Sequence, residues 1–245
     1  MSSNITSADY FYVNNVSSAS VGLYVDTPPV PPMAKQRVTT WSTGVDADGH
    51  SPDDVYENIK ITVSAYSFFP ETFDFSAVYA FLADARTLMF SRFPNRLLKV
   101  VQVDAVQPQP KWDGKRITLK ISFTCEPFKY HAINPETPTP QHSIDNPGTR
   151  YSRPIYKLTL AKCDNGYTLS VNGQVCTISG GAPSPFWIDT TRMIAYDENG
   201  VNQTQLTNGI YPFLSPGTNL LSCYSFTNNV MTVHPVSVIG NWRDF

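Results

Sequence analysis

Charged side chains are scarce in this sequence: Asp, Glu, Lys and Arg make up 16% of its 245 residues, against roughly 25% in an average soluble domain. With 18 Lys plus Arg against 20 Asp plus Glu, the formal net charge is -2, so the basic excess that binding along a phosphate backbone requires is missing. Long apolar runs are missing too. The longest, Ala77 to Ala83, has seven residues, and roughly 20 are needed to cross a bilayer as a helix, so no membrane insertion is expected. The N-terminus, MSSNITSADYFYVNN, shows neither the basic start nor the apolar stretch of a secretory signal. The expectation is a chain made in the cytoplasm and kept there or released by lysis. Cys125, Cys163, Cys176 and Cys223 lie 38, 13 and 47 residues apart with no CxxC, so neither zinc-type spacing nor a disulfide framework is supported, and four free thiols carried mostly on strands are expected.

What the sequence does have is 20 Pro, 13 Tyr and 14 Phe, residues that short strands and turns favour. Length allows one large domain or two of ordinary size. In the first half, FYVNNVSSASVGLYVD and RVTTWS read as strands around the proline cluster TPPVPP at 27 to 32, which should form an extended arm or a sheet edge. GVDADGHSPDD reads as a loop. Its Asp46, Asp48, Asp53 and Asp54 suggest calcium, but the glycine follows the second Asp directly and the register does not fit an EF-hand. YENIKITVSAY then alternates as a strand. After Asp74, an N-cap residue, Val78, Phe81, Leu82 and Ala85 fall at i, i+3, i+4 and i+7, which predicts one helix near 74–88. TLMFSRF, RLLKVVQVDAV and KRITLKISFTCEPF follow as strands, with QPQPKWDG as a loop. In the last strand Ile117, Leu119, Ile121, Phe123 and Cys125 alternate with polar residues, so one face is core and the other is wet or meets a partner.

NPETPTPQHSIDNPGTR, residues 134 to 150, is proline-rich and polar, and the domain boundary is placed there. The expected organisation is an N-terminal domain over 1–135, a linker over 136–149, a second and smaller β-sandwich over 150–236, and a tail over 237–245 that returns toward the first domain with Trp242 as anchor. Tight turns at Asp164-Asn165-Gly166 and Asn172-Gly173 join the first strands of the second domain. The fold class is all-β with one helix, in two domains.

No GxSxG, P-loop, GxGxxG or HExxH is present, and His50, His131, His142 and His234 are widely spaced. No catalytic, metal or cofactor residue is assigned. Asp189 and Asp197 flank strands, but Asp197 belongs to the Asp197-Glu198-Asn199-Gly200 turn and serves the backbone there. Charge is polarised along the chain: residues 1 to 85 carry three basic and ten acidic side chains, and residues 86 to 129 carry nine and three. Opposite signs on opposite flanks would suit a ring built by head-to-tail contacts. Alternatively, Arg116 and Lys120, on the polar face of their strand, would line a channel through which DNA passes unread, or are simply solvated. Trp112, at a hairpin tip, is either a contact residue or packs back on its own hairpin.

The order VDTPPVPP, a turn-rich loop, YENIKITV, one helix, a two-stranded excursion and a closing strand FTCEPF resembles the distal tail protein of long-tailed, siphovirus-type bacteriophages. NGYTLSVNG, WIDTTRMIAYDENG and YPFLSPGTN resemble that family's C-terminal domain. The resemblance implies a structural virion protein without catalysis or cofactors. Its N-terminal β-sandwich, with helix and belt hairpin, forms a homo-hexameric ring at the distal end of the tail, and a galectin-like β-sandwich projects outward. Implied partners are the tail tube protein, the tail-associated hub protein and the receptor-binding protein. Pro28, Pro29, Pro31, Pro32 and the hairpin around Trp112 become inter-subunit contacts, and DNA passes through the ring without sequence-specific binding. The compact length leaves no room for an inserted carbohydrate-binding module. The competing reading is a carbohydrate-binding protein acting through the second sandwich, with Trp187 and Tyr196 as stacking residues. A glycan-degrading enzyme comes third, with no acid pair to name.

Overall fold

The computed structural model describes residues 8–41, 49–68, 73–110, 116–139 and 142–245. Two units divide the chain, Met1–Ala132 with Phe245 and Ile133–Asp244. The first contains β1 (Phe11–Val13), β2 (Val16–Ser17), β3 (Tyr24–Val25), β4 (Gln36–Trp41), β5 (Gly49–Tyr56), β6 (Ile59–Ser67), α1 (Phe75–Ala83), β7 (Thr87–Phe90), β8 (Arg96–Pro110) and β9 (Ile117–His131). Its main sheet is antiparallel in the order β2-β1-β7-β8-β9-β6-β3, and β4 and β5 pair separately.

Alternation builds that sheet. In β6, Ile59, Ile61, Val63 and Ala65 are buried while Lys60, Thr62 and Ser64 point away. In β9, Leu119, Ile121, Phe123 and Cys125 do the same. Register puts Ile61 opposite Phe123 and Val63 opposite Ile121; burial of each such side chain contributes about 1.5–3 kcal/mol. Helix α1 covers this apolar face with Val78 and Leu82, and Phe81 reaches Phe11, whose ring meets Phe123 in turn. Asp74 caps the helix by accepting the Ser76 N–H at 2.8 Å.

The helix is shorter than its periodicity suggests, because Asp84 leaves helical geometry (φ -110, ψ 31) and the chain enters β7 at Thr87. Asn14 holds this exit. In the two-residue Asn14-Asn15 turn both φ angles are positive, as a tight hairpin requires. The Asn14 side chain accepts the Arg86 and Thr87 N–H groups and donates to the Asp84 carbonyl.

Two stretches expected as loops are strand. Gly49–Tyr56 pairs with β4, so Asp53 and Asp54 belong to a strand, while Asp46 and Asp48 lie outside the described residues. Gln107–Pro110 extends β8 opposite Ile117–Lys120. Prolines are tolerated there because β7 pairs with β8 only as far as Lys99, leaving an edge where a missing N–H breaks no ladder.

The second unit contains β10 (Glu136–Pro138), β11 (Ser143–Asn146), β12 (Ile155–Leu158), β13 (Tyr167–Val171), β14 (Gln174–Ile178), β15 (Phe186–Asp189), β16 (Ile194–Asp197), β17 (Thr207–Gly209), β18 (Gly217–Thr227), β19 (Val230–His234) and β20 (Val236–Ile239). One sheet runs β10-β20-β12-β15-β16 and the other β11-β18-β13-β14-β17, with β19 also on β18. Tyr156, Leu158, Phe186 and Ile188 from the first sheet pack with Leu169, Val171, Cys176 and Cys223 from the second, so the unit is a β-sandwich. Pro235 separates β19 from β20 and marks the step from one sheet to the other.

The expected linker 136–149 contributes β10 and β11, which sit on the outer edges of the two sheets. Polar, proline-bearing segments suit edges. Ile239 lies in β20 and Trp242 joins the core of this unit. Phe245 belongs to the first unit, with its ring against Tyr56 and Phe128.

Candidate assembly surfaces

The proline arm lies against its own unit. Pro28 is buried, Pro29 and Pro31 are half-buried and Pro32 is exposed, so Pro28 is not available to a partner. Val30, between the prolines, is 79% exposed, and Met33, just after them, is 70% exposed. Val30 and Pro31 border a pocket of about 150 Å³ completed by Phe90, Phe93, Arg96, Leu98 and Lys129. Its lining is mostly apolar, with two cations among it. The pocket follows from local chain geometry: the turn between β7 and β8 exposes Phe93 ahead of Pro94, and the ladder sets Lys129 opposite Leu98. Sequence reading missed Phe93, Arg96 and Lys129, although an exposed aromatic in the turn SRFPNR is a visible signal.

The outer face of the β6-β9-β8 region is mostly polar, with Ala105 opposite Ser122 among its polar side chains. Lys120 sits opposite Ser64 on one side and Gln107 on the other. Thr124 donates its hydroxyl to Asp104, and Gln102 also donates to that carboxylate. These two hydrogen bonds, with a smaller contribution from Lys60, hold the Asp104 carboxyl below its usual range. Arg116 does not share this setting; its guanidinium lies 5.2 Å from the Tyr66 ring centroid and 5.1 Å from that of Phe68, a cation–π arrangement. Trp112 lies outside the described residues.

In the second unit Trp187 points out of the sandwich rather than into its core, since its neighbours Phe186 and Ile188 are the buried ones. It pairs directly with Tyr196, their rings 5.8 Å apart and within 3° of parallel, and the Lys157 ammonium lies 5.9 Å from the Trp187 centroid. Lys157 is itself paired to Glu136 at 3.1 Å. The ring faces are directed at each other and at Lys157, which makes a cross-strand ladder rather than an open stacking platform. Asp189 accepts the Thr191 and Arg192 N–H groups and Asp197 those of Asn199 and Val201, so both carboxylates shape turns.

All four cysteines are free and buried. Burial pushes the thiols of Cys125 and Cys223 up to about 12 and that of Cys176 up to about 11. Cys163 is shifted the other way, chiefly by the Thr227 hydroxyl. Among the described residues, no group of three His, Cys, Asp or Glu side chains is arranged to hold a metal ion.

No protein-family model matches the chain, and no curated protein does. Among solved structures, the chain is similar to the Dit protein (gp 19.1) of SPP1, described as a paradigm of the hub adsorption apparatus in phages infecting Gram-positive hosts. The TM-score is 0.73 at 13% identity, over 97% of this chain and 99% of that one. The likeness is one of fold and takes in both units. It is the all-β, two-unit fold that the motif order of the sequence implies.

Proposed function

We propose that this chain is a structural protein of a phage tail tip, a distal tail protein that forms a hexameric ring joining the tail tube to the hub and works without catalysis. The observation that carries this reading is the shared fold with SPP1 Dit over 97% of the chain. Local chemistry supports it. A channel that passes DNA without reading it needs a hydrated polar wall, and the outer face carrying Lys60, Ser64, Asp104, Lys120, Ser122 and Thr124, hydroxyls among a few charges of both signs, has that character. In this reading Lys120 lines the channel, and Arg116 and Trp112 meet neighbouring subunits. The exposed part of the arm, Pro29 to Pro32, does the same. The N-terminal unit forms the ring, and the C-terminal sandwich lies at the periphery, toward the hub protein and a receptor-binding protein. The protein then resides in the virion after synthesis in the host cytoplasm.

Light scattering over a concentration series, with negative-stain images of the same fractions, tests this. The expected species has six times the chain mass of 27.3 kDa and an open centre. A monomer at every concentration, with no ring on adding tube or hub protein, would overturn the reading.

A further inference from the structure

Helix α1 leaves an unusual surface. Its exposed residues Ser76, Tyr79, Ala80 and Ala83 fall at i, i+3, i+4 and i+7, a complete solvent-facing stripe without a charge. A free helix face normally carries charged or long polar side chains. This one carries Tyr79, 47% exposed, and is bounded by Asp74 at one end of the helix and Asp84 at the other. The pocket beside the arm has the opposite character. It is apolar at its base through Pro31 and Leu98, has Val30 and Phe93 exposed at its border, and carries Arg96 and Lys129. Its volume of about 150 Å³ suits one aromatic side chain. No residue is common to the two surfaces, so together they allow a heterologous contact, one that joins two different patches and can close into a ring.

We infer that the occupant of this pocket is helix α1 of a second copy of this chain, with Tyr79 inserted between Val30 and Phe93 and Asp84 facing Lys129 and Arg96. The argument is charge complementarity around an apolar centre. Cations flank the pocket, and Asp74 and Asp84 lie at the two ends of the uncharged stripe, with Arg86 beside Asp84 as its one basic neighbour; the sequence repeats that division, with ten acids against three bases in residues 1 to 85 and nine bases against three acids in 86 to 129. A buried aromatic within a charged rim is also the usual anatomy of a strong contact. The inference rests on the ring reading and deepens it by naming the two faces that meet.

The test uses two variants of the full chain. One spoils the helix face, Tyr79→Ser with Asp84→Ala; the other spoils the pocket, Arg96→Glu with Lys129→Glu. Each keeps one good face. Alone, each is expected to need at least tenfold more protein than wild type to assemble. Mixed, they are expected to form a 1:1 dimer of twice 27.3 kDa that grows no further, because only one productive contact remains. Tyr79→Phe, which keeps the ring, is expected to assemble like wild type, and circular dichroism melts check that every variant is folded. If both variants assemble like wild type, or the folded mixture gives no dimer, the helix-to-pocket contact is overturned while the ring stands. A wild type that never assembles overturns the ring and this contact with it.

Discussion

Asn219 is fully buried at the start of β18 and uses all of its hydrogen-bonding capacity. Its amide oxygen accepts the Ser215 N–H and the Asn172 side-chain N–H, each at 2.8 Å. Its amide nitrogen donates to the carbonyls of Ser215 at 2.8 Å and Gly217 at 2.7 Å. Asn172 in turn accepts the Leu220 N–H, so the Asn172-Gly173 turn and the SPGTN turn are tied through one buried side chain. Replacing Asn219 by Ala removes four hydrogen bonds whose partners lie on the half-buried Ser215 and the exposed Asn172 and Gly217. At about 1 kcal/mol net for each hydrogen bond, the loss is roughly 3–4 kcal/mol, or on the order of 10 °C in Tm for a chain of this length. Asn219→Asp keeps the size and both acceptor contacts but turns the donor nitrogen into an oxygen facing two carbonyls. It is expected to lose at least as much at neutral pH and to recover part of the loss in acid, when the carboxyl takes up a proton and regains one donor. Urea denaturation of the three proteins at two pH values measures this. A loss under about 1 kcal/mol for Asn219→Ala would refute the claim that the network holds this end of the sandwich together.

His234 is buried, accepts the Ala161 N–H through Nδ1 at 3.2 Å and therefore donates from Nε2 to the Ser225 hydroxyl at 2.9 Å. Burial pushes its imidazole below the usual 6.5. In the unfolded chain the histidine takes up a proton near 6.5 while the folded one resists, so its contribution is complete above that pH and is lost as pH falls through the folded value. Urea midpoints at pH 7.5 and 5.5 should drop on acidification in wild type and drop less in His234→Phe; equal drops would refute the assignment. Gly148 has no room for a side chain, because a Cβ would lie 2.5 Å from the Arg243 carbonyl oxygen and 2.9 Å from its nitrogen. Gly148→Ala is expected to cost about 1–3 kcal/mol, and a thermal melt unchanged from wild type would show that the backbone yields there freely.

Strands with one dry and one wet face were legible, because a period of two is a local property that packing only confirms. β6, β9 and β13 show it, and so does the Asn172-Gly173 turn between β13 and β14, whose residues take the positive φ that such a turn needs. The all-β class with a single helix could be read in the same way. Edges could not. GHSPDD, QPQP, Glu136–Pro138 and Ser143–Asn146 have loop composition yet pair as strands, since a polar, proline-bearing segment becomes an edge only where a distant strand, such as β20 or β18, leaves its hydrogen-bonding groups open. Whether a residue faces a core also escaped local reading. Trp187 turned outward to Tyr196 and Trp242 inward to the second core. The pocket of Val30, Phe93, Arg96 and Lys129 draws on three separate segments, so no window of sequence contains it. Local alternation and turn chemistry settled which segments are strands, whereas the pairing of edges and the surfaces left for a partner are non-local, and only the folded chain set them.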